Sequence, residues 1–179
     1  MNFDTRNWRW TQIEEWLLTK YERSSPLVGA EIGVKEGRFS SYLLRKFPNL
    51  IMIAVDPRIS QLGESETYTD WDWESINNEY KANIEPYIGR LAEYSYYSHE
   101  AAEMMENESL DFVFLDAQHD YQSVKRDIAC WLPKVKKGGL MSGHDYDPNP
   151  ERNYGVIPAV NEKFGSVLTG RNFTWGKWI

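Results

Sequence analysis

A single cysteine among 179 residues, Cys130, excludes an internal disulfide and any zinc site built on thiolates. Its place inside a helix-patterned stretch points to a buried thiol. Basic residues are also scarce. Against 27 Asp and Glu stand 20 Lys and Arg, for a net charge of −7 and a pI near 5.1. Without clustered Lys and Arg there is no footprint for nucleic-acid phosphates, and a small neutral or cationic ligand suits the charge better. No apolar run reaches the length of a membrane span, and the first residues lack the basic and apolar regions of a signal peptide. A cytoplasmic protein without a membrane partner is therefore expected. Repeats, linkers and low-complexity tracts are missing too. The length suits one domain over 1–179, with an N-terminal helical segment at 1–25 and its core at 26–179. What is plentiful is aromatic: 15% of residues, eight of them Trp. The excess lies near the N-terminus, around Trp71 and Trp73, and at the C-terminus, which makes these regions candidate surfaces for a substrate or partner.

The stretch from Leu110 to Tyr146 organises the rest. Two short apolar runs, Asp111 to Leu115 and Gly139 to Ser142, read as fully buried strands. Each stops at polar residues that can do chemistry: Asp116 and His119 after the first, His144 and Asp145 after the second. Between them Tyr121, Val124, Ile128 and Trp131 recur at helical spacing while Lys125, Arg126 and Asp127 face water, up to a stop at Pro133. Strand, helix and strand make a βαβ unit. Its strands run parallel, so their carboxyl ends share one sheet edge, where open α/β proteins bind ligands. The four polar residues are expected to converge there.

Upstream, Thr11 to Glu14 spells a capping box, with Ile13, Trp16, Leu17 and Tyr21 on one face of the helix behind it. Trp8 and Trp10 either pack this helix down or wall a pocket. Leu27 to Gly33 is an apolar strand ending at Glu31, followed by a glycine turn to Gly37 and a helical face of Phe39, Leu43 and Phe47. The loop reads ExGxxxG and lacks the middle glycine that lets a backbone touch a pyrophosphate. Lys35 crowds that region, and Glu31 repels phosphate but suits an ammonium group. A nucleoside joined to an amino acid meets these conditions, and S-adenosylmethionine is one. The next strand, Leu50 to Val55, ends at Asp56, 25 positions past Glu31. A carboxylate there can accept both ribose hydroxyls or merely cap a helix.

Further on, Thr69 to Glu74 opens a helix to about Ile84, and Trp71 and Trp73 either stack on a sugar or other flat acceptor or anchor a loop. Tyr87 to Tyr94 is expected as a third strand and Ser98 as a helix start. Ser98 would border an adenine and His99 face solvent. Asp147 to Asn153 is long enough to act as a flap. Gly155 to Phe164 reads as a helix with Pro158 in its first turn, and Ser166 to Thr169 with Phe173 to Ile179 as a closing hairpin.

Together, Glu31-Ile-Gly-Val-Lys-Glu-Gly37, Val55-Asp56, the run from Asp111 to Tyr121, Gly138-Gly139, and Gly143-His-Asp-Tyr146 with Gly155-Val156 and Ala159-Val160 resemble class I S-adenosylmethionine-dependent methyltransferases. More narrowly, they are similar to the small bacterial branch marked by DAxHxY and GHDY. The resemblance covers about Leu27 to Phe164. It implies a Rossmann-like α/β fold: a seven-stranded, mostly parallel sheet with helices on both faces and an antiparallel strand near the C-terminus. It also implies a cofactor site formed by Glu31, the Gly33 to Gly37 loop and Asp56, with Ser40 toward the cofactor's carboxylate; Asp116 and Ser98 or its neighbours, at strand ends, are expected to border that site. Asp116, His144 and Asp145 match the positions at which metal-dependent O-methyltransferases hold a divalent cation. There the pair after the fifth strand is two carboxylates, or a carboxylate and an amide. An imidazole in the first place favours manganese, iron or zinc over magnesium. Taken singly, Asp116 is also a possible helix cap, Asp145 a turn residue and His144 a buried imidazole.

The expected activity is transfer of the S-adenosylmethionine methyl to a hydroxyl of a small molecule, a sugar or another polar acceptor. A divalent metal at Asp116, His144 and Asp145 would lower the hydroxyl's pKa, and His119 would be the catalytic base. A nicotinamide-dependent oxidoreductase and a cofactor-binding module without chemistry are the alternatives.

Overall fold

The computed structural model describes residues 8–58, 71–152 and 155–179. The apolar runs become the strands of one sheet: β1 (Val28–Ile32), β2 (Ile51–Val55), β3 (Leu91–Tyr94), β4 (Leu110–Leu115), β5 (Val135–Gly143), β6 (Leu168–Thr169) and β7 (Trp175–Trp178). Their order is β3-β2-β1-β4-β5-β7-β6. The first five are parallel, and β7 runs antiparallel to both β5 and β6. Parallel neighbours need crossovers, and α2 (Arg38–Lys46), α3 (Trp73–Ile84), α4 (Ser98–Glu103) and α5 (Tyr121–Trp131) provide them, with α1 (Arg9–Leu18) before the sheet and α6 (Val156–Phe164) before its hairpin. This is the Rossmann-like architecture the motifs imply.

Alternation along β4 divides the core in two. Val113 and Leu115 meet α5 and α6 through Val124, Ile128, Ala159 and Val160. Phe112 and Phe114 meet α1 and α2 through Ile13, Leu17, Phe39 and Leu43. With helices on both faces every residue of β4 is buried, which is why Phe112 to Leu115 read as an unbroken apolar run; the buried Asp111 accepts the Val28 N–H at 2.8 Å and pairs with Lys136. Full burial of Phe112 or Phe114 is worth about 1.5–3 kcal/mol each.

Several expected boundaries move. The first helix begins at Arg9, and the Thr11 hydroxyl donates to the Trp8 carbonyl at 2.7 Å instead of capping. Glu14 is not a capping-box partner either; it is buried, accepting from Tyr42 and paired with Arg23. The first strand runs past Glu31 to Ile32. The third is confined to Leu91–Tyr94, because Glu85–Arg90 winds as a 3₁₀ turn in which Pro86 has no N–H for a ladder. The fifth starts at Val135, ahead of Gly139. Cys130 is only partly buried, and the closing hairpin is shorter at both strands. Thr69 and Asp70 of the expected helix opening, and Asn153 of the flap, lie outside the described residues. The helix is described from Trp73, capped by Asp72, whose side chain accepts the Ser75 N–H at 3.0 Å. No helix among the described residues is long and apolar enough to cross a membrane.

Candidate functional site

The ladder extends one residue past four strands, and this fixes the site. Gly33 N–H donates to Val55 O at 2.9 Å, Asp116 N–H to Ile32 O at 2.8 Å, Asp56 N–H to Tyr94 O at 3.1 Å, and His144 N–H to Leu115 O at 3.0 Å. Gly33, Asp56, Asp116 and His144 therefore stand along one carboxyl edge, and all four line a cavity of about 540 Å³. Gly33 has to be glycine. Its φ is +87°, and a Cβ would lie 2.3 Å from the Asp116 carbonyl oxygen. The His119 loop is held from behind, since Gly155 N–H donates to His119 O at 2.7 Å. A Cβ on Gly155 would come 1.9 Å from the Tyr121 nitrogen. Asp120 caps α5 by accepting the Gln122 and Ser123 N–H groups at 3.0 Å.

The four expected residues do converge. His119 Nε2 is 2.8 Å from Asp145 Oδ2, and His144 Nδ1 is 3.0 Å from the same oxygen. Asp116 Oδ1 lies 3.6 Å from His144 Nδ1 and 4.0 Å from His119 Nε2, while its Oδ2 is 3.1 Å from Arg9 Nε. Asp145 adopts φ 56°, which turns its carboxylate back toward the two imidazoles. Burial pulls both imidazole pKa values down, but the facing carboxylates of Asp116 and Asp145, the latter within hydrogen-bond reach of both rings, outweigh it and raise each to about 9. The carboxylates shift the other way: burial opposes it, yet the two imidazoles hold Asp116 and Asp145 below the usual range. Until those carboxylates are otherwise engaged, neither imidazole is a free base at neutral pH.

Ligand atoms of Asp116, His144 and Asp145 lie within 4.8 Å of one another. Two carboxylates and an imidazole form a donor set that manganese, iron or zinc accepts, so these residues fit a divalent cation.

The cofactor residues separate into two groups. Gly33, Asp56, Ser98 and Asp116 line the cavity; Glu31, Gly37 and Ser40 do not. Glu31 is 2% exposed and accepts from both the backbone N–H and the hydroxyl of Ser40. Burial pushes its pKa up to about 8 against those hydrogen bonds. Ser40 is thus occupied with Glu31, and Gly37 is the left-handed residue that opens α2. Ser98 Oγ accepts the Trp131 indole N–H at 2.9 Å.

Asp127 is the residue that polarity misassigned to solvent. It is 4% exposed, lines the cavity beside Ser98 and Arg126, and its Oδ1 has no hydrogen-bond partner among the described residues. Burial pushes its pKa up to about 6, with the Ser98 hydroxyl opposing. Helical spacing offered the signal, because position 127 lies three past Val124 and four before Trp131. His99 is half-buried, with no partner for Nδ1 among the described residues.

Both readings of the paired tryptophans gain a place. Trp71 and Trp73 line the cavity with ring centroids 5.6 Å apart, and Lys35 Nζ sits 4.0 Å over Trp71. Trp8 and Trp10 stack at 4.8 Å, and Trp10 is in the core.

A family model described as a methyltransferase domain matches residues 30–146. An uncharacterised protein of Acanthamoeba polyphaga mimivirus is 28% identical over an alignment of 167 positions that covers 89% of this chain and 68% of that one. Among solved structures, one described as a sarcosine dimethylglycine methyltransferase from Galdieria sulphuraria aligns with TM-score 0.56 and 17% identity, over 90% of this chain and 63% of that chain. The TDP-rhamnose 3'-O-methyltransferase of calicheamicin biosynthesis aligns with TM-score 0.62 and 17% identity, over 94% and 76%. TomG from Streptomyces achromogenes, an O-methyltransferase of tomaymycin synthesis solved in complex with S-adenosylmethionine, aligns with TM-score 0.64 and 12% identity, over 95% and 79%. With two thirds of its length inside the family model and the family's sheet around its binding edge, the chain belongs to the methyltransferase-domain family and is an S-adenosylmethionine-dependent enzyme.

Proposed function

We propose that the chain methylates a hydroxyl of a polar small molecule, foremost a sugar, with a divalent cation at the strand ends. The observation that carries this reading is the convergence of Asp116, His119, His144 and Asp145 on the floor of the cavity. S-adenosylmethionine supplies the activated methyl, so the protein's task is to hold an oxygen behind that carbon and remove its proton. Asp56 and the Gly33 backbone stand where ribose and methionine would lie, and Asp127 Oδ1 offers an acceptor for the adenine amine. Trp71 and Trp73 provide flat faces for a sugar ring. Asp116, His144 and Asp145 would hold the cation, whose positive charge favours the alkoxide form of a hydroxyl. With those carboxylates so engaged, His119 is released to act as the base.

Two relatives support the hydroxyl as acceptor: a TDP-rhamnose 3'-O-methyltransferase and TomG, an O-methyltransferase. The test is S-adenosylhomocysteine release against a panel of sugar nucleotides, free sugars and phenols, with and without a chelator. Turnover of an amine acceptor alone, or sugar turnover indifferent to chelation and to Asp145→Ala, would overturn it.

A further inference from the structure

Consecutive residues of α1 face two different cavities. Arg9 lines the one at the strand ends, whereas Trp10 lines a second of about 180 Å³, enclosed by α1, α2 and the stretch from Ala82 to Tyr87. The walls of this second cavity include the rings of Trp10, Tyr42 and Tyr87 and the side chains of Arg38 and Arg45. In a chain of net charge −7, no carboxylate is among the described residues that line it.

Trp10 is 4% exposed, and its indole Nε1–H is buried with no hydrogen-bond partner among the described residues. An indole nitrogen only donates, so nothing but an acceptor can satisfy it, and leaving such a group buried and unpaired is destabilising. Among the described lining residues the positive charge available is that of one side chain. Arg38 is committed to Glu79, and Tyr42 donates its hydroxyl to Glu14, whose own charge is held by Arg23. Arg45, in the last turn of α2, lies with its guanidinium 5.4 Å from the Tyr42 ring centroid and pairs with no carboxylate among the described residues.

Among the described residues of its wall, one uncommitted cation and one orphan donor suit a single negative charge; a phosphate dianion would ask for the second arginine, which Glu79 already holds. The aromatic walls suit a flat apolar body, and the volume admits about one ring with its acid group. We propose that this cavity is a binding site, separate from the methyl-transfer cavity, for a small aromatic carboxylate. Its acid group takes the Trp10 N–H and the Arg45 charge, and its ring lies against Tyr42 and Tyr87. The proposal does not depend on the acceptor assigned above.

Benzoate is the probe, titrated into isotope-labelled full-length protein while the tryptophan indole N–H resonances are followed. Trp10→Phe, which keeps an aromatic ring but loses the N–H, assigns the Trp10 signal. Benzoate should move that signal saturably, and Arg45→Met, at an exposed position that leaves the fold intact, should weaken binding by about tenfold or more. Arg126→Met, in the other cavity, should leave benzoate affinity unchanged, and benzylamine should not bind. A Trp10 resonance unmoved at about 10 mM benzoate, equal affinity in Arg45→Met, or equal response to inorganic phosphate would each overturn the proposal.

Discussion

Asp56 Oδ2 accepts the backbone N–H of Lys35 at 2.9 Å, and that of Val34 at the same distance. The carboxylate at the end of β2 thus clamps the glycine loop, while its Oδ1 accepts the Arg58 N–H at 2.9 Å. Lys35 is held at φ 49°, a left-handed conformation that costs a non-glycine residue roughly 1–2 kcal/mol. Asp56→Ala should therefore do more than remove ribose contacts. It should lower unfolding stability by about 1–3 kcal/mol and weaken S-adenosylhomocysteine binding by about tenfold or more. Asp56→Asn, which keeps a carbonyl acceptor for the loop, should recover most of the stability. Urea unfolding and titration calorimetry measure both, and an Ala variant as stable as wild type would remove the clamp.

The sequence exposed this edge because parallel strands buried on both faces must be apolar along their length. The run Phe112 to Leu115 stopping at Asp116, and the run ending at Gly143 before His144, could hardly be read otherwise. Less legible was anything set by a neighbour distant in the chain. Thr11 and Glu14 have the letters of a capping box, but Glu14 is drawn inward by Tyr42 and Arg23. Glu31 has the right place in the loop for a ligand, yet Ser40 turns it into a buried pair. Asp127 was given to solvent on polarity, although its spacing from Val124 and Trp131 puts it on the core face. The second cavity gathers residues 10, 42 and 87, which no local pattern connects.

Asp127 gives the cofactor site a testable preference. Its unpartnered Oδ1 can accept only from a donor, which the 6-amino group of adenine is and the 6-oxo group of hypoxanthine is not. Wild-type protein should bind S-adenosylhomocysteine about tenfold or more tighter than its inosine analogue, and Asp127→Asn should shrink that ratio toward one. Equal affinity of the wild type for both would mean that Oδ1 is satisfied by a buried water.

Glu31 should make stability fall with pH. Its folded pKa, about 8, stands above the ordinary carboxyl value of 4.5. The folded state therefore holds a proton that the unfolded chain releases between those values. The contribution is complete below pH 4.5 and is lost as pH rises through about 8, with a slope of up to about 1.4 kcal/mol per pH unit in between. Glu31→Gln removes that slope. Urea unfolding from pH 4 to 9 should show the variant gaining on wild type as pH rises; parallel curves would mean that Glu31 is ionised in the fold.

A cation bound at Asp116, His144 and Asp145 should stabilise the protein by mass action. At one hundred times its dissociation constant the gain is about 2.7 kcal/mol, visible as a higher unfolding midpoint. Manganese or zinc added to chelator-treated protein should produce this shift. Asp145→Ala should abolish it while leaving a folded chain, since the Asp145 carboxylate meets His119 and His144 and no core group. A shift that persists in both Asp145→Ala and Asp116→Ala would place the ion elsewhere.

His119 and His144 share the Asp145 oxygen but should fail differently when removed. His144 Nδ1 belongs to the candidate ligand set, and its Nε2 is 3.3 Å from Asn172 Oδ1, so its ring is held at both nitrogens. His119 is the more accessible imidazole, with 30% of its side chain exposed against 10% for His144, on a loop tied down through its own carbonyl. Removing the residue that takes the acceptor's proton should slow methyl transfer and spare binding. His119→Ala should cut kcat by about a hundredfold or more, with S-adenosylhomocysteine affinity and metal content unchanged. His144→Ala should instead lose the metal, and excess manganese should restore part of its turnover. Single-turnover rates, calorimetry and metal analysis on the two variants separate these outcomes. A His119→Ala enzyme with wild-type kcat would show that the proton leaves by another route, and one that loses its metal would move His119 into the ligand set.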